Sequence, residues 1–138
     1  MPATAVAADV PPPEPEAAED PATRRSRLRL GVMMTFMGAL HFVVPKPFMR
    51  IVPRRLGRPR FWTYASGVAE LASGALLLNR KTSKAGGVAA AATIVAVYPA
   101  NIQMAVDAGA PRNLFALGAW LRLPLQLPMI AWALRHAR

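Results

Sequence analysis

Four apolar runs divide this chain, and each is long enough to cross a bilayer. They extend over about Arg27–Val44, Phe61–Leu78, Ala85–Val106 and Leu114–Leu134. A helix needs about 17–25 mostly apolar residues to span the hydrocarbon core. Any one run could instead be the core helix of a soluble protein. Four of them in 138 residues leave almost no sequence for a water-facing surface. The expected fold is therefore all-α: a four-helix transmembrane bundle over residues 24–138, preceded by a disordered N-terminal tail over residues 1–23. The connections at 79–84 and 107–113 are short, which makes neighbouring helices antiparallel.

The punctuation agrees with this division. Pro45 and Pro47 end the first run, Pro99 predicts a kink in the third, and Pro124 and Pro128 interrupt the fourth. The tail is rich in Ala, Pro and Glu, contains Pro11-Pro12-Pro13, and holds too little apolar surface to offset its ordering entropy. Arg24-Arg25 ahead of an apolar run faintly resembles a twin-Arg signal. The end of that run, Ala39-Leu40-His41-Phe42, lacks a small-x-small cleavage pattern, which favours a retained helix.

Charge is segregated along the chain. The net charge is +10, yet five of seven acidic residues lie in the first twenty positions, and only Glu70 and Asp107 follow. Lys and Arg fall mostly between the apolar runs, where flanks of membrane helices belong, so the lipid bilayer rather than nucleic acid is the expected partner. With the N-terminus inside, cytoplasmic flanks collect Arg24, Arg25, Arg27, Arg29, Arg80, Lys81, Lys84, Arg135 and Arg138. The outer side collects Lys46, Arg50, Arg54, Arg55, Arg58, Arg60 and Arg112, so N-in and C-in is favoured by a narrow margin. Residues 45–60 mix these cations with Phe48, Met49, Ile51, Val52 and Leu56, as an interfacial segment or a solvated basic loop would. There is no cysteine, which removes disulfides, a CxxC pair and thiolate metal sites. Two histidines, His41 and His136, make a protein-built metal or haem site unexpected.

Ionisable groups at membrane depth are costly and need a partner or a purpose. Glu70 lies nine residues into the second helix and Arg122 eight into the fourth, both counted from the same side. At 1.5 Å per residue each is roughly 12–14 Å deep, so the two can pair. Ser66, Glu70 and Gly74 form one polar or small stripe, and Gly118, Arg122 and Gln126 another, both expected to face inward. Asn101 and His41 fall in the same half, with Tyr64, Tyr98 and Trp120 as candidate lining. The expected polar site is thus Glu70, Arg122, Asn101, His41, Gln126 and Ser66. Three uses stay open: a structural pair, a ligand pocket, or an ion path. Trp62 and Trp132 read as interfacial anchors.

These same segments carry a family resemblance. Gly38-Ala39-Leu40-His41-Phe42 with Pro47-Phe48 and Ile51-Val52-Pro53, then Tyr64-Ala65-Ser66-Gly67 leading to Glu70, then Tyr98-Pro99-Ala100-Asn101-Ile102, then Arg122-Leu123-Pro124-Leu125-Gln126 together resemble DoxX family membrane proteins. The resemblance covers about Gly31 to Ala133. It implies a four-helix bundle in the bacterial cytoplasmic membrane, with some relatives tied to quinone-dependent thiosulfate oxidation or membrane oxidoreductase complexes, and distant ones to membrane-protein assembly.

The expected function is an accessory or lipophilic-ligand-binding subunit of a membrane complex, without independent enzymatic activity. No cofactor motif is evident, and a quinone is the candidate ligand. A membrane-protein partner or a homo-oligomer fits the same expectation. The alternatives are a quinone-linked oxidoreductase subunit, in which Arg122 or His41 holds a quinone carbonyl and Glu70 handles protons, and an assembly factor whose Glu70–Arg122 pair is purely structural.

Overall fold

A computed structural model describes residues 18–138, and all regular structure among them is helical. Six helices follow in order: α1 (Pro21–Val43), α2 (Pro45–Arg50), α3 (Pro59–Leu78), α4 (Ser83–Ala96), α5 (Tyr98–Ala108) and α6 (Leu114–Arg135). Short 3-10 turns at Arg54–Leu56 and Arg80–Thr82 lead into α3 and α4.

The first helix begins earlier than the apolar pattern indicates. Asp20 supplies the N-cap, its carboxylate accepting from the Thr23 backbone N–H at 2.9 Å, and Pro21 occupies a first-turn position where its missing donor costs nothing. Residues 20–23, assigned to the tail from composition, therefore form the cap and first turn of α1. Residues 1–17 of the expected tail lie outside the described residues. The third run divides into α4 and α5 at Val97, immediately before Tyr98-Pro99, as a proline without an N–H donor requires. By contrast α6 continues through Pro124 and Pro128. Residues 45–56 are not an open loop: they fold back as α2 and a 3-10 turn, with α2 packed on α3.

Helices α1 and α3 form the tightest seam. It runs antiparallel and places Gly31 and Gly38 of α1 against Gly74 and Gly67 of α3. A methyl group on Gly38 would lie 2.8 Å from the Gly67 carbonyl oxygen, so the backbones approach closer than any other residue allows. α4 packs on the other side of α3, and α6 packs on α4 and α5. Leu30, Met34, Leu77, Ala90, Ala91, Ile94 and Ala133 build the apolar core. They cluster at the end where α1 begins and α6 ends, here the terminal end; α2 and the α5–α6 connection mark the opposite, loop end.

Two helical stretches, Arg80–Ala108 and Leu114–Arg135, are long and apolar enough to cross a membrane. α1 and α3 do not reach the same apolarity. Their polar residues explain this: Arg27 and His41 on α1, and Thr63, Glu70 and Ser73 on α3, lower the average while lying buried against other helices. Much of the outer surface is apolar, with Phe36 on α1, Val68 on α3, Val95 on α4 and Leu121, Leu125 and Leu127 on α6 all more than half exposed.

Candidate functional site

The terminal end of the bundle is closed by hydrogen bonds. Arg27 is buried on α1, and each of its three guanidinium nitrogens makes a hydrogen bond. It binds Glu19 in a fork, Nε to Oε1 and a terminal nitrogen to Oε2, both at 2.8 Å, and donates to the Leu77 carbonyl at the end of α3. The forked contact holds the Glu19 carboxyl below its ordinary pKa, through the hydrogen bond to Arg27 and the attraction of that charge. Beside it, Trp132 Nε1 donates to Ser26 Oγ at 2.8 Å, and Ser26 Oγ lies 3.1 Å from His136 Nε2. Burial, then the nearby Arg27 charge, pushes the His136 pKa down and favours the neutral ring. A neutral Nε2 can accept, so the run reads Trp132 to Ser26 to His136.

The loop end is built the other way. There α1, α2, α3, α4, α5 and α6 surround a cavity of about 750 Å³. Its lining is mostly apolar: Met37 from α1, Phe48 from α2, Trp62 and Ala69 from α3, Ala92 and Ala96 from α4, Met104 from α5 and Phe115 from α6. The α2 fold-back closes part of it, because the Phe48 ring stacks on the His41 imidazole with centroids 3.8 Å apart.

Five of the six residues singled out by sequence line this cavity: His41, Ser66, Glu70, Asn101 and Arg122. The sixth, Gln126, does not. It is buried between α6 and α4, donating to the Ile94 carbonyl at 3.1 Å. Tyr64, Tyr98 and Trp120 are not part of the lining either. Tyr64 stacks on Phe42, and Trp120 Nε1 donates to the Gly109 carbonyl at 2.8 Å. Trp62, read as an interfacial anchor, is 42% exposed and also lines the cavity.

The expected Glu70–Arg122 pair is replaced by another. Glu70 Oε2 lies 3.1 Å from His41 Nδ1, and no Glu70–Arg122 ion pair exists among the described residues. Both carboxylate and imidazole are buried. Arg122 is exposed along its helix and reaches the cavity from the open side. The reason is rotational. α6 packs on α4 and α5, not on α3, so equal depth does not turn Arg122 toward Glu70. Gly118 of the same stripe has open space around it, and only Gln126 faces inward.

Hydrogen bonding at the cavity wall is incomplete. His41 Nδ1 is 2.8 Å from the Met37 carbonyl, and a carbonyl can only accept, so the Nδ1 proton is directed there. Glu70 Oε2 is close to that nitrogen but gains no well-aligned hydrogen bond. Thr63 Oγ1, also buried in the cavity wall, has no partner. Ser66 has spent its proton on the Thr63 carbonyl at 2.9 Å. The site therefore offers a buried acceptor, a buried hydroxyl and an exposed guanidinium around an apolar space. Thr63 and Phe48 were not foreseen. Thr63 lies seven residues before Glu70, two turns away on the same helix face, a spacing that marks it. No group of three or more His, Cys, Asp or Glu residues able to hold a metal occurs among the described residues.

A family model described as a domain of unknown function, DUF8561, matches residues 30–137, most of the chain, and the chain belongs to that family. No curated protein and no solved structure matches it.

Proposed function

We propose that this member of the DUF8561 family is a DoxX-like integral membrane protein that binds a small lipophilic ligand in its loop-end cavity, as an accessory subunit of a membrane complex. In this reading α1, α3, the α4–α5 pair and α6 are four spans of one bundle, seated in a bacterial cytoplasmic membrane with both termini inside. The exposure of α6 supports the bilayer: only 17% of its most apolar 18-residue window is buried. A soluble core helix of that hydropathy is mostly buried, and so much uncovered apolar surface needs lipid around it.

The cavity carries the ligand reading. Its volume lies in the range of small-molecule sites, and its apolar wall holds two of the three buried side-chain oxygens that lack a hydrogen bond among the described residues, Glu70 Oε2 and Thr63 Oγ1, the third being Gln126 Oε1 outside the cavity. A buried polar group without a partner costs about 1–3 kcal/mol. A ligand with an apolar body and a polar head would offset that cost. Thr63 and Arg122 can donate to a carbonyl oxygen, and Glu70 can accept from a hydroxyl. A quinone or its quinol has this chemistry. The His41–Glu70 contact joins α1 to α3 and gives the cavity one fixed wall.

The position of Trp62 in the wall supplies the test. In a Trp120→Phe, Trp132→Phe background, a short-chain benzoquinone added to the protein in detergent should quench Trp62 fluorescence saturably. Arg122 is exposed and in no ion pair among the described residues, so Arg122→Gln should fold normally and weaken binding about tenfold, the loss of one charge-assisted hydrogen bond. Quenching that rises linearly without saturation, equal in both proteins, would contradict the reading.

A further inference from the structure

A second recess, of about 530 Å³, opens at the terminal end between the start of α1 and the end of α6. It is lined by Ala22, Arg25, Ser26, Arg29, Trp132 and Arg135. We infer that this cleft binds the phosphodiester headgroup of an anionic phospholipid. Three arginines face one recess, all exposed and none in an ion pair among the described residues, unlike the buried Arg27, which lies two positions from both Arg25 and Arg29. A guanidinium presents a planar fork of donors matched to phosphate oxygens. The cleft's floor is fixed, because Ser26 holds Trp132 at 2.8 Å and meets His136 at 3.1 Å.

Its place in the bundle selects a lipid over free phosphate. The arginines flank apolar helices, at the level where a membrane meets headgroups. Val32 lies three residues beyond Arg29 on the same face of α1 and is 60% exposed, which gives an acyl chain an apolar surface directly below the charges. The inference rests on the membrane reading, and the orientation it adopts places the cleft in the cytoplasmic leaflet, where anionic lipid attracts basic groups.

The full chain, purified in a neutral detergent, is offered equal amounts of phosphatidylglycerol and phosphatidylcholine and examined by native mass spectrometry. Phosphatidylglycerol should be retained preferentially, and inorganic phosphate should fail to displace it. Arg25→Gln, Arg29→Gln and Arg135→Gln should each weaken retention about fivefold, as a surface charge near anionic lipid does. The three Lys replacements should retain part of the preference. Arg54→Gln with Arg55→Gln, at the loop end, should leave it unchanged. Equal retention of the two lipids, displacement by inorganic phosphate, or an equal loss in the loop-end variant would overturn the inference. Release of the protein from membranes by alkaline carbonate without detergent would instead overturn the membrane reading beneath it.

Discussion

The two ends of this bundle solve the burial of polar groups in opposite ways. At the terminal end, Arg27 is 4% exposed and each of its three guanidinium nitrogens has a partner, in Glu19 or the Leu77 carbonyl. At the loop end, Glu70 and Thr63 are as deeply buried, yet each keeps an oxygen without a hydrogen bond, next to open volume. At one end the buried charge is paired within the chain, while at the other buried oxygens stand beside open volume without a hydrogen bond. The glycine seam makes this possible. By drawing α1 and α3 together along Gly31, Gly38, Gly67 and Gly74, it fixes one wall, while the break at Val97 and the packing of α6 on α4 and α5 hold the other wall away.

The strongest way to break the contrast is to damage the terminal end. Gly74→Val places a branched side chain against the backbone of Gly31 and Thr35, with no room to yield. It should cost about 3 kcal/mol or more and prevent assembly of the bundle. Gly118→Ala on α6 meets nothing and should leave stability within about 0.5 kcal/mol. Thermal unfolding in detergent compares them, and equal losses would remove the seam from the account.

Next in size is the arginine comparison. Arg27→Gln strips the charge partner of Glu19 and should cost about 2 kcal/mol. Arg122→Gln, at an exposed position with no ion pair among the described residues, should cost nearly nothing in stability while weakening ligand binding. Destabilisation by Arg122→Gln equal to that of Arg27→Gln would show that Arg122 is structural.

The smallest expected effect is a pH dependence confined to the terminal end. Burial and Arg27 lower the His136 pKa below its ordinary 6.5. The unfolded chain then binds the proton more readily than the folded one. The His136 contribution should be fully present above pH 6.5 and be lost as pH falls through that value toward the lower folded pKa. His136→Phe should flatten this part of the melting profile between pH 8 and 5.5. An unchanged slope would mean that the ring is not held neutral by its surroundings.

The all-helical class and the rough extent of the long helices were legible because each run of apolar residues is long, whereas the short fold-back helix α2 and the division of the third run into two helices raise the expected four to six. The depth of the polar layer was legible for the same reason, since rise per residue converts sequence position into height. Rotation was not. Which residue faces which depends on how helices far apart in sequence pack, so Glu70 was matched to Arg122 at its own level, when His41 on the adjacent α1 is its neighbour. The helix start was missed because composition assigned Glu19 to the tail, whereas the Asp20 cap and the Glu19–Arg27 fork lie within reach of the first turns. The seven-residue spacing of Gly31 with Gly38 and Gly67 with Gly74 was a readable signal of a close seam, since it repeats one helix face every two turns.

The loop-end cavity as a ligand site is best tested by what the protein carries out of the membrane. Wild-type protein purified in mild detergent, extracted and analysed by mass spectrometry, should yield a lipophilic small molecule near one per chain. Ala69→Phe and Ala96→Phe fill the cavity from two helices and should both lose it, whereas Ala72→Phe, on α3 but outside the cavity, should keep it. The same molecules at the same ratio in all four proteins would contradict the account.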